Sequence, residues 1–143
     1  MQSGAEPRWE HFPHVADMGV RGYGRSAAEA FEQAALGLTA VIVDPALVKA
    51  RTPVEIECEA PDLDLLFFDW LNALVFQMAT RHMLFRTYEV EIEGLHLKAQ
   101  MHGEAVDPAR HEPAVEVKGA TLTMLTVRER GEGDWVAQCV VDV

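Results

Sequence analysis

At 143 residues the chain is long enough to bury a core without disulfide or metal staples, and its length fits one domain, residues 1–143. Hydrophobic residues make up 49% of it, which excludes a disordered chain. The formal charge of −11 argues against unaided nucleic-acid binding, which needs clustered Lys and Arg, and against an anionic membrane surface; it leaves a basic protein partner, a cation, or solubility alone.

Residues 1–8 are short and polar and read as a frayed end. From Trp9 to Tyr23 the alternation is interrupted by Pro13, predicting one bent strand or two short ones, closed by Gly22 and Gly24. Ser26 and Glu29 form an S-x-x-E capping box that opens a helix. Ala30, Phe31, Ala34, Ala35, Leu38, Val41 and Ile42 supply its apolar face, and Asp44-Pro45 stops it. Residues 46–52 read as a connector. Over residues 53–60, Val54, Ile56 and Cys58 face one way while Glu55, Glu57 and Glu59 face the other, as in a half-buried strand. Carboxylates at i, i+2 sit roughly 6–7 Å apart, too far for tight shared chelation, so a solvated face is the expected reading.

A second helix, about Leu63 to Met83, is apolar around most of its circumference and is expected to be the central core helix. Asp69 and Asn72 are its polar exceptions, placed at a solvent edge or bonded to a nearby loop. Phe85–Glu93 alternates, Gly94 turns, and Leu95, Leu97, Ala99 and Met101 alternate on the return, which predicts a hairpin. Residues 103–113 read as a polar loop containing Glu104, Asp107, Arg110 and His111. Residues 114–130 carry a long strand pattern with a bulge or bend at Gly119. Gly131–Asp134 turns into the last strand, Trp135 to Val143. Strands and helices mix without strict βα alternation, which predicts an α+β fold of two main helices on a mostly antiparallel sheet.

Cys58 and Cys139 form no C-x-x-C and read as buried free thiols of a reducing compartment. No signal-peptide pattern opens the chain, and no apolar run approaches the roughly 20 residues of a membrane span, so a cytoplasmic location is expected.

Motifs for self-contained catalysis are missing: no H-E-x-x-H, no G-x-S-x-G, no P-loop, no G-x-G-x-x-G. The six histidines, His11 and His14 among them, lack zinc-site spacing. Asp17 beside Gly19 either caps a turn or holds a ligand. Lys118, in an otherwise apolar and acidic strand, is either an anion ligand or a surface lysine.

Trp9, Glu10, His14, Ala16, Asp17 and Gly19 resemble the archease family's opening, W-E-x-x-x-H-T-A-D-x-G, with Val15 in place of Thr. Asp69-Trp70-Leu71-Asn72 resembles its D-W-L-N helix. Gly103-Glu104, Asp107, Arg110 and His111 resemble its G-E-x-x-D-x-x-R-H segment. Glu116-Val117-Lys118 and Thr121 resemble its E-I-K-A-x-T strand, and Asp142-Val143 its terminal Asp-Ile. Leu122 and Thr123 stand where the family has Tyr-His.

The resemblance implies a two-layer fold with a strand-helix-strand-strand module. It implies that Asp17 and Asp142 meet and bind Ca²⁺ or another divalent cation, with Val143 joining through its main chain. As the last residue given, Val143 is also expected to offer a carboxylate. Hard cations take several such oxygens at once. The resemblance further implies a functional Lys118, a His14 that orients the Asp17 loop by a hydrogen bond, and supporting roles for Asp69, Asp107 and His111. The implied role is that of a non-catalytic protein cofactor of an RtcB-type RNA ligase, promoting ligase guanylylation and repeated turnover in tRNA splicing. No direct nucleic-acid or membrane contact is expected. The rival readings are a metal-dependent phosphohydrolase using the same carboxylates and a general chaperone or interaction module.

Overall fold

The computed structural model describes residues 6–143. It is α+β, with the strands divided between two antiparallel sheets. The first joins β1 (Arg8–His14), β2 (Asp17–Gly24) and β8 (Asp134–Asp142), and β8 also pairs β6 (Gly119–Ala120) and β7 (Thr126–Gly131) on its other edge. The second has the order β3 (Thr52–Glu59), β5 (His96–Ala105), β4 (Met83–Glu93). Two long helices, α1 (Ala27–Ile42) and α2 (Leu63–Arg81), pack against both. A four-residue helix, α3 (Pro108–His111), and a 3-10 turn (Pro45–Leu47) complete the chain.

Local chemistry explains most boundaries. The Ser26 hydroxyl accepts the Glu29 N–H at 3.1 Å. The reciprocal bond differs from the simple capping box, because Glu29 accepts from the N–H of Arg25 rather than of Ser26, at 2.7 Å. Asp62 caps α2 by accepting the Leu65 N–H at 2.8 Å, and His82 ends it in the left-handed conformation, φ 54°. Met83 therefore starts β4 instead of closing the helix. Pro53 is tolerated because β3 is an edge strand.

One continuous core fills the space between helices and sheets. Phe31 and Phe67 meet at 5.0 Å between ring centroids. The fully buried Trp70 donates its indole N–H to the Phe31 carbonyl at 3.1 Å, tying α2 to α1. A Cβ at Gly22 would lie 2.2 Å from the Ala30 carbonyl oxygen, so β2 and α1 touch backbone to backbone. The glutamate row of β3 is exposed as expected, and β4 presents Glu89, Glu91 and Glu93 likewise. Cys58 is half-buried, Cys139 is buried, and both are free thiols.

Two stretches depart from expectation. Residues 103–113 are not a solvated polar loop: Gly103 to Ala105 complete β5, α3 follows, and Glu104 and His111 are buried. Residues 114–130 are not one strand. Residues 112–118 run outside any ladder, β6 holds two residues, and 121–125 bulge before β7, with Met124 at φ 56°. The alternation there was real, but only Gly119 and Ala120 find ladder partners before the bulge.

Candidate functional site

The sheet register brings the predicted residues together. β1 pairs His14 with Asp17. β2 pairs Met18 with Val141 and Gly19 with Val140, and Asp17 and Asp142 are the residues next beyond that last pair, at the ends of β2 and β8. β6 pairs Gly119 with Asp142, and the Lys118 N–H donates to the Asp142 carbonyl at 2.7 Å. The same end of the sheet thus carries His14 paired with Asp17 and Gly119 paired with Asp142, with Val143 and Lys118 beside them. Asp17 is half-buried, as is Val143, while Asp142 and Lys118 are exposed.

Period-2 alternation gives this sheet end a common face. Asp17 shares its side of β2 with Gly19 and Arg21, and Asp142 shares its side of β8 with Val140 and Gln138. That the faces coincide is seen in the Arg21 Nε bond to Gln138 Oε1, 2.7 Å. Facing positions on antiparallel neighbours lie about 4.5–5.5 Å apart at Cβ, and like charges placed so destabilise the pair. A cation between them reverses the sign. The donors fit a hard divalent ion, since carboxylate and main-chain oxygens are what such ions take. Among the described residues, no three His, Cys, Asp or Glu side chains form a metal-holding group, so any site here needs the main-chain oxygen as well as the two aspartates.

The turn before Asp17 is strained. Val15 and Ala16 connect β1 to β2, and Val15 is fully exposed with φ 44°, a left-handed conformation unfavourable to a β-branched residue. Such strain costs of order 1–3 kcal/mol and concentrates at functional sites. The Nδ1 of His14, the residue before this turn, is buried without a hydrogen-bond partner. Gly19 answers a packing demand: a Cβ there would lie 2.3 Å from the Phe12 ring.

Glu10 of the same opening motif is structural. It accepts from Arg21 Nη1 at 2.6 Å and from the Tyr23 hydroxyl at 2.7 Å, and these bonds, Arg21 first, hold its carboxyl below the ordinary value. Trp9 packs against Gly37 of α1, and His11 Nε2 donates to the Gly37 carbonyl at 2.8 Å.

The supporting candidates separate. Asp69 is exposed and lies near β3: burial, and then the Asp69 charge, push the Cys58 thiol up to about 11. Asp107 and His111 belong to a second cluster around Glu104. Glu104 accepts from Arg110 Nη2 at 2.7 Å, from the Lys49 N–H at 2.8 Å and from His111 Nε2 at 2.9 Å. His111 Nδ1 accepts the Asp107 N–H at 2.8 Å, which leaves the ring proton on Nε2 for Glu104. The Arg110 guanidinium foremost, then the Lys49 N–H, brings the Glu104 carboxyl down to about 2. This cluster fastens residues 104–111 to the segment after α1. Sequence reading missed its burial, because a run of charged residues looks solvated when its partners are remote.

Asn72 also joins the site from outside the predicted set. Its Oδ1 accepts the Ala120 N–H at 3.0 Å, next to Lys118 and Gly119. The polar residue on an otherwise apolar helix was the signal available in sequence.

The archease protein family (MTH1598/TM1083) matches residues 9–143. Curated relatives named "Protein archease" include one from Pyrococcus abyssi, 41% identical over 140 residues, covering 95% of this chain and 99% of the relative. Another, from Sulfolobus acidocaldarius, is 34% identical over 138 residues with the same coverage. The fold is similar to the solution structure of Methanobacterium thermoautotrophicum protein 1598, with a TM-score of 0.78 and 29% identity, over 94% of this chain and 98% of that one. Motif order, fold and end-to-end similarity agree, and the chain belongs to the archease family.

Proposed function

We propose that the chain is a protein cofactor of an RtcB-type RNA ligase, promoting guanylylation of the ligase and its repeated turnover in tRNA splicing and RNA repair. It works as an activator rather than as an enzyme, in the cytoplasm. Family membership supports the role, and the observation that supports the site is the β2–β8 register, whose last pair, Met18 with Val141, is followed by Asp17 and Asp142.

Asp17, Asp142 and the main-chain oxygen of Val143 would hold Ca²⁺ or another divalent ion, whose charge, when bound, neutralises the facing carboxylates and attracts phosphate oxygens. Lys118, exposed beside Asp142, offers an ammonium to the same class of anion. The end of the sheet thus docks at the mouth of the ligase active site, where metal and nucleotide must be arranged. The charge of −11 suits a protein that meets the ligase and leaves RNA to it.

The test is RNA joining by the cognate ligase, ligase limiting, with GTP and metal present. Wild-type chain is expected to raise product well beyond one turnover per ligase, and Asp17→Ala is not. Equal stimulation by both proteins removes the metal-bearing tip from the mechanism. No stimulation by either removes the activator role, and phosphate release from nucleotides by the chain alone would then favour a phosphohydrolase.

A further inference from the structure

We propose that Asn72 is a positioning residue for the Lys118–Asp142 edge, acting through the Ala120 main chain; the inference rests on the reading of that edge as the face turned to the ligase. The helix that carries Asn72 is the best-anchored element near the site. Leu66, Phe67, Trp70, Leu71 and Leu74 of α2 are fully buried, and the Trp70 indole is bonded to α1. Asn72 follows Trp70 by two residues, on the side of α2 that meets β6.

β6 needs an external clamp. It has only two residues, and the bonds of its flanks, at Lys118, Thr121 and Thr123, all go to β8 on one edge. Lys118 and Thr121 donate their N–H groups to the carbonyls of Asp142, at 2.7 Å, and Val140, at 2.9 Å. Ala120 donates the other way, to Asn72 Oδ1 at 3.0 Å. The short strand is therefore gripped from both edges, by β8 on one and by α2 on the other. A Cβ at Gly119 would lie 3.0 Å from the same Oδ1, so strand and helix meet as closely as the missing side chain allows.

Without the amide, the Ala120 N–H loses its acceptor, and the strand is held by its bonds to β8 alone. A one-residue slip would turn Lys118 to the opposite face. A smaller shift also matters, because misplacement by about 1 Å can cost on the order of 100-fold in a transfer reaction.

The experiment compares the full chain as wild type, Asn72→Leu, which keeps the volume but has no acceptor, and Asn72→Asp, which keeps the acceptor. Two readouts are taken: amide hydrogen exchange at Ala120, and ligase turnover against chain concentration. Asn72→Leu is expected to speed Ala120 exchange about five- to tenfold, since one hydrogen bond is lost. It should lower maximal turnover about tenfold while leaving the half-saturating concentration near the wild-type value. Asn72→Asp should restore both. Unchanged Ala120 exchange, or unchanged maximal turnover, in Asn72→Leu overturns the proposal. If Asn72→Leu does not fold, Asn72→Ser, too short to reach Ala120, is judged by the same readouts. A wild-type chain that fails to stimulate the ligase removes the ligase-facing reading and the proposal with it. Unchanged turnover in Asn72→Leu beside a stimulating wild type removes the proposal alone.

Discussion

The Lys118 N–H donates to the Asp142 carbonyl at 2.7 Å, joining the motif before the bulged segment to the last strand. Asp142 in turn lies one residue beyond the last pair between β8 and β2, as does Asp17, from the first hairpin. Three motifs remote in sequence therefore share one end of one sheet.

Facing carboxylates predict a metal-dependent sign. In chelator, Asp17→Asn should be neutral or stabilising by about 0.2–1 kcal/mol, since a like-charge pair is removed. With Ca²⁺ at a hundredfold excess over its dissociation constant, wild type should gain about 2.7 kcal/mol and the variant little of it. Thermal unfolding in chelator and in Ca²⁺ decides the matter. An equal gain in both proteins means that the ion binds elsewhere or not at all.

The Glu104 cluster predicts an acid-sensitive component of stability. Its carboxyl lies below the ordinary value of 4.5, at about 2 in the folded chain. The stabilisation is therefore complete above about pH 4.5 and is lost as pH falls through about 2. Glu104→Gln should be less stable at neutral pH and show a shallower loss of stability over that window. Denaturant unfolding at a series of acid pH values would reveal parallel curves if the cluster contributes nothing.

Val15 holds a conformation that glycine adopts freely, φ 44°. Val15→Gly should raise stability by about 1 kcal/mol, strain relief outweighing the added chain entropy. A lower midpoint in thermal unfolding would show that the turn stores no such strain.

Burial, helped by the Asp69 charge, pushes the Cys58 thiol up to about 11, and burial pushes Cys139 up to about 12. Thiolate is the reactive form, so neither should alkylate appreciably at neutral pH in the native chain, and both should label once it is unfolded. Mass spectrometry of native protein treated with iodoacetamide is the check, and rapid native labelling of Cys139 would show that β8 opens easily.

Most elements were legible in the sequence because they are local. The capping serine, the apolar faces of α1 and α2, and the alternating glutamates of β3 and β4 each depend on neighbours within a few residues, where periodicity speaks directly. The same reasoning failed over 114–130, where alternation persists but ladder partners are few. It failed over 103–113, where Arg110, His111 and the Lys49 main chain neutralise or bond a carboxylate that looked solvated.

By itself, the sequence determined the residue types and the local elements: two helices, a set of half-buried strands, an acidic balance, and aspartates at both ends of the chain. Only tertiary structure decided that Asp17 and Asp142 come to the same end of one sheet, that Asn72 bonds the Ala120 main chain, and that His111 is a buried partner of Glu104. The physical reason is register. Hydrophobic alternation tells which face of a strand is buried, but the pairing of one strand with another is set by the packing of the whole core, and that pairing chooses which charges meet.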